Sequence, residues 1–175
     1  MKQKTSGLLA DFAPIRDEGT RITICYGLTK ASGELYEWYE IYLPKKQNAQ
    51  LTFQMVKDAI ISDIDARTDE KILDGYEFTP DGADTSIIVW LSKESQTNFS
   101  EAHRLQIVPV KFKLNETADK QPIYHTFETF EELNRFYVGG VAYINQCLNE
   151  GWQRKDSIDW TPYEAYFPEP NTTQE

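Results

Sequence analysis

Two histidines, two cysteines and 28 acidic residues are the groups in this 175-residue chain with which chemistry could be done. A metal site needs Cys or His ligands at short, recurring spacings. His103 and His125 have no cysteine or second histidine at such a spacing. Cys25 and Cys147 lie far apart and follow no metal or redox motif, so they read as reduced, buried thiols. Asp63, Asp65 and Asp69 resemble calcium ligands in spacing. Asp63 and Asp65 fall in a helical pattern, however, and the stretch lacks the glycine and closing glutamate of an EF-hand. They read as a solvated acidic face, and neither a metal nor a cofactor is expected. Among the acids no local pattern selects a pair for glycoside hydrolysis. G-x-S-x-G, the P-loop and G-x-G-x-x-G are all missing. Gly139-Gly140 sits inside a helical pattern instead of ahead of one, where a phosphate would bind. The expectation is a protein that is not an enzyme.

The site-like feature is aromatic. Tyr36, Trp38 and Tyr42 lie two and four residues apart along one strand and so share a face, with Trp90 on another strand as a candidate neighbour. Rings beside carboxylates can form a sugar platform or anchor a protein interface. They can equally be the core of a sheet, and the spacing leaves all three readings open.

The elements that would hold these rings are readable from periodicity. Residues 21–29 and 35–43 alternate as two strands around a Gly-containing loop, a β-hairpin closed by Pro44. Residues 51–66 carry Val56, Ile60 and Ile64 four apart behind Thr52 as N-cap, which predicts a core-facing helix. Thr68 reads as the cap of a second, short helix that Gly75 stops. Residues 76–79 and 85–91 flank Pro80-Asp81-Gly82 as a second hairpin. Its return strand is apolar on both faces, with Ile87, Val89 and Leu91 against Ile88 and Trp90, so cover on both sides is expected.

Ser92 caps a helix with a narrow apolar stripe, and residues 108–114 and 122–127 form a third hairpin. Thr126 or Thr129 starts a long helix to about Leu148, with Gly151 as its stop. Gly139-Gly140 inside it predicts close approach of another backbone. The fold class is α+β, with antiparallel hairpins packed on two longer helices and one or two short ones. Four segments follow: a flexible arm at 1–20, a hairpin and linker at 21–50, an α+β domain at 51–160, and an acidic, partly disordered tail at 161–175. The aromatics of residues 152–167 are expected to pin the first part of the tail to the fold, while its last eight residues fray.

A formal charge of −10 argues against nucleic acid or an anionic membrane as partner, since both require a cationic face. No apolar run approaches the ~20 residues that cross a bilayer. The start, MKQKTSGLLADFAPIRDEG, lacks the apolar core of a signal peptide, so folding in the cytoplasm is expected.

Four segments in order carry a resemblance: LTFQMVKDAIISDIDARTDEKILDGYEFT, IIVWLSKESQTNFSEA, VPVKFKL and YHTFETFEELNRFYVGGVAYINQCLNEGW. A K-x-x-I-x-x-x-I helix and an acidic turn lead into a G-[aromatic]-x-[aromatic] strand. A W-L-S-x-E-x-Q-x-N strand-to-helix turn, a hairpin and a closing helix follow. The series resembles a domain of unknown function found in phage and prophage tail-region proteins, attached to or encoded beside tail-fibre and baseplate genes. It spans roughly residues 51–160 and brings no catalytic residues with it. The resemblance implies a role in the virion or its assembly, through contact with other tail proteins or a second copy of the chain. It places the protein in the bacterial host cytoplasm or in the tail. The alternative is a carbohydrate-binding module that reads host surface glycan through the same rings.

Overall fold

The structure, a computed structural model, describes residues 4–45 and 50–167. Among the described residues it is an α+β fold of antiparallel strands and four α-helices. In chain order these are β1 (Thr5–Leu8), a single 3-10 turn (Leu9–Asp11), β2 (Ile15–Asp17), β3 (Arg21–Ser32), β4 (Leu35–Pro44) and α1 (Phe53–Asp74). Then come β5 (Tyr76–Phe78), β6 (Ile87–Val89), α2 (Lys93–Arg104), β7 (Val110–Glu116), β8 (Pro122–Phe127), α3 (Phe130–Asp156) and α4 (Thr161–Glu164).

The chain divides into two compact units, residues 1–66 with 151–175 and residues 67–150. Both long helices contribute to each. The division therefore differs from the expected boundaries at 50 and 160: the first half of α1 belongs with the N-terminal hairpin.

In the first unit a four-stranded antiparallel sheet runs in the order β1-β4-β3-β2. Ile24, Tyr26 and Ile41 of its inner face pack on Val56, Ile60 and Ile64 of α1 and on Tyr163. The helical period four apart and the strand period of two thus meet in one core. Thr52 caps α1 as expected, its hydroxyl accepting the Met55 N–H at 3.2 Å.

The flexible arm is corrected: Thr5–Leu8 pairs with β4 and Ile15–Asp17 with β3, so two stretches of it are edge strands of the sheet. These strands are four and three residues long and take their hydrogen bonds from longer neighbours, which is why they show no period of their own. The start of the acidic tail is ordered too. Pro162 in the first turn of α4 suits a helix start, and Tyr163 is buried with its hydroxyl donating to the Cys25 carbonyl at 2.6 Å. The aromatic pin holds, whereas the expected fraying of residues 168–175 lies outside the described residues.

In the second unit β5-β6 and β7-β8 form two hairpins, joined by the Trp90 N–H donating to the Leu114 carbonyl at 2.9 Å. Val89, Leu91, Leu114 and Phe127 face a core filled from the helices by Phe99, Leu133 and Phe136. Ser92 caps α2, accepting the Ser95 N–H at 3.1 Å, and Thr129 caps α3, accepting the Glu132 N–H at 3.3 Å.

Three expectations are corrected on the helices. No second helix starts at Thr68; α1 runs unbroken to Asp74 with Arg67 and Thr68 buried, because no glycine or proline interrupts it before Gly75. Gly75, at φ +89°, is the stop; a Cβ there would lie 1.9 Å from the Val89 carbonyl oxygen. At the far end, Gly151 does not stop α3, which continues to Asp156. Gly139 and Gly140 do admit a close neighbour, but it is the Tyr76 ring and not a backbone.

Candidate functional site

The four candidate rings separate. Tyr36, Trp38 and Tyr42 belong to the first unit and share one face of β4 as their spacing predicted, the face turned away from α1. Trp90 belongs to the second unit.

The β4 cluster is closed at its centre. Trp38 is 2% exposed and meets Phe12 edge-on at 5.8 Å. The β1 backbone lies against it so tightly that a Cβ on Gly7 would sit 2.7 Å from Trp38 Cη2. Its indole N–H donates to Glu40 Oε1 at 3.1 Å. Glu40 also accepts the Arg16 guanidinium at 2.6 Å and the Tyr42 hydroxyl at 2.6 Å. Burial alone would raise the Glu40 pKa, but the hydrogen bonds from Tyr42, Trp38 and Arg16 outweigh it and hold the carboxyl below its ordinary value. Tyr42 is exposed, with Arg21 over its ring at 4.5 Å. An open platform of three rings does not form. The cluster is a polar network sealed by β1, which could not be foreseen while β1 was read as a loose arm.

An exposed aromatic and aliphatic pair lies in the second unit. The strand expected over residues 85–91 is shorter, Ile87–Val89, but the alternation runs on for two residues: Val89 and Leu91 enter the core, at 0% and 2% exposure, and Ile88 and Trp90 stay outside at 41% and 42%. Cover was expected on both sides of this strand; among the described residues the outer side stays exposed. It is held in place by two cross-links to β7, the Trp90 N–H bond to Leu114 and Asn115 Nδ2 donating to the Ile88 carbonyl at 2.7 Å. On the β7-β8 hairpin Tyr124 is exposed as well; it pairs opposite Lys113 and carries the Lys111 ammonium 4.7 Å from its ring centroid. Tyr124 was not singled out by sequence; its alternation within residues 122–127 was the available signal.

The titratable residues serve the fold. His125 Nε2 lies 3.0 Å from Glu132 Oε1, and the same carboxylate accepts the Asp81 N–H at 2.8 Å, anchoring the β5-β6 turn. His103 stacks on Tyr137 with ring centroids 4.1 Å apart and sits 2.9 Å from Asn134 Oδ1. Asp63 accepts the Tyr26 hydroxyl at 2.7 Å, and Asp65 pairs with Lys155. Among the described residues no cluster of three or more His, Cys, Asp or Glu is placed to hold a metal. Both cysteines are free and buried, and burial pushes the Cys25 thiol up to about 11. Among the described residues no helix is long and apolar enough to cross a membrane. Family models, curated proteins and solved structures return no significant match to the chain.

Proposed function

We propose that the protein is a non-enzymatic contact protein of a phage or prophage tail region, binding a tail protein through the outer face of its second unit. The carrying observation is the joint exposure of Ile88 in β6 and Trp90 just past its end, where two hydrogen bonds to β7 hold the backbone. Tryptophan and tyrosine are the residues most enriched at interface hot spots, and a ring on a rigid strand loses little conformational freedom on binding. On the neighbouring hairpin Tyr124 is exposed too, with Lys113 opposite it and Lys111 over its ring.

The complementary partner presents an apolar or aromatic anchor for the Ile88–Trp90 pair. The order of motifs across residues 51–160 supports the tail context by resemblance. The test is co-expression with the tail-fibre and baseplate proteins of the same genome, comparing the wild-type chain with an Ile88→Asp/Trp90→Asp variant. A stoichiometric complex with one of them, lost in the variant while its melting temperature holds, is the expected result.

A further inference from the structure

The first unit contains a cleft of about 490 Å³ that shares Phe12 with the Trp38 cluster and takes no residue from the contact face. It opens where β3 departs from regular pairing: the register skips from Tyr26↔Tyr39 to Thr29↔Glu37, taking Gly27 and Leu28 out of the ladder. Gly27 stands at φ +68°, and a Cβ there would press on the Tyr39 ring at 3.2 Å, so the bulge depends on glycine. Bulges of this kind recur beside binding sites, where they re-aim the strand.

The opposite wall is the end of α3 and the turn into α4, with Arg154, Ser157, Ile158 and Asp159. The volume falls within the ~300–1,000 Å³ of small-molecule sites.

The lining narrows the ligand class. Charges of both signs are present: Lys4 and Arg154 against Asp159. Lys4 is fixed over the Tyr39 ring at 5.3 Å and donates to Thr29 Oγ1 at 3.2 Å. Asp159 uses Oδ1 to accept the Thr161 N–H at 3.0 Å, and the Ser157 hydroxyl donates to the Arg154 carbonyl at 3.0 Å. Between these donors and acceptors lie the half-buried rings of Phe12 and Tyr39. A lipid tail would lie against the charges of Lys4, Arg154 and Asp159, and a simple anion would leave the rings unused and meet Asp159. A ligand with many hydroxyls and an apolar ring face satisfies both kinds of surface.

We propose that this cleft is a binding site for a short saccharide. It is separate from the contact face, which belongs to the other unit. The experiment is amide NMR of the full chain titrated with glucose, galactose, N-acetylglucosamine and glucuronate. Saturable shifts of the Gly27, Thr29 and Ser157 amides are expected with at least one sugar. Ser157→Trp and Thr29→Trp, at exposed positions on the two walls, should each weaken that binding at least tenfold (about 1.4 kcal/mol) while keeping native dispersion. Ile88→Asp/Trp90→Asp should leave it unchanged, so that failure of the contact face and failure of the cleft are told apart. The proposal is overturned if none of the four sugars shifts these amides, or if the shifts persist in whichever plugged variant remains folded.

Discussion

Replacing Gly140 by alanine should lower stability, although the same change in an ordinary helix interior raises it. Removing a mid-helix glycine is worth about 1 kcal/mol. Here, however, the new methyl would lie 3.3 Å from Tyr76 Cε1, closer than the ring can accept without moving. The ring cannot easily retreat: Tyr76 is buried and its hydroxyl donates to the Phe136 carbonyl at 2.5 Å. Overpacking a fixed site costs about 1–3 kcal/mol. The net expectation is a loss of up to about 2 kcal/mol, or a fall in melting temperature at ~2–4 °C per kcal/mol for a chain of this size. The decisive step is the second background. In Tyr76→Leu the ring is gone, so Gly140→Ala should there become stabilising by about 1 kcal/mol. Thermal melts of the four proteins by circular dichroism measure the cycle. Equal effects of Gly140→Ala in both backgrounds would refute the claim that the glycine pair exists to admit Tyr76.

Other perturbations probe separate parts of the fold. Ile60→Asp places a carboxylate at a fully buried position of α1 and should cost more than about 4 kcal/mol; a soluble variant that melts like the wild type would contradict the α1–sheet core. Gly75→Ala meets both a positive φ and the Val89 carbonyl, so the β5-β6 hairpin should lose its hydrogen-exchange protection, and retained protection would count against the α1 stop. Glu40 has a folded pKa held below its ordinary 4.5. Its contribution is therefore present above that value and fades as pH falls through the folded pKa. The melting-temperature gap between wild type and Glu40→Gln should shrink from pH 7 to pH 3, and a gap independent of pH would show that the carboxylate adds nothing.

What was legible in the sequence was what is decided locally. Thr52 and Ser92 announce their helices because a cap is a contact over three residues, and Gly75 announces a stop because only glycine takes that backbone without strain. The β3-β4 hairpin and the inward set Val89 and Leu91 follow from strict alternation. What was hidden depends on partners far along the chain. β1 contains Gly7, which lowers its strand signal, yet that glycine is there because Trp38 leaves no room for a side chain. The burial of Trp38 and the ordering of β1 are thus one fact, invisible from either segment alone. Helix ends misled for a related reason: Thr68 and Gly151 are good boundary residues, but flanking helix formers and burial carried both helices past them. On β6 the apolar count was right and its meaning was not. An apolar outer face was read as covered, whereas Ile88 and Trp90 stand open.

The proposed contact face is tested most directly by the affinity of the purified chain for a co-expressed tail-fibre or baseplate protein, measured by calorimetry for wild type and Trp90→Ala. A buried tryptophan anchor is worth 2 kcal/mol or more, so binding should weaken by at least about 30-fold with an unchanged melting temperature. Equal affinity of the two proteins, or the lack of a defined complex with any fibre or baseplate protein, would contradict the account.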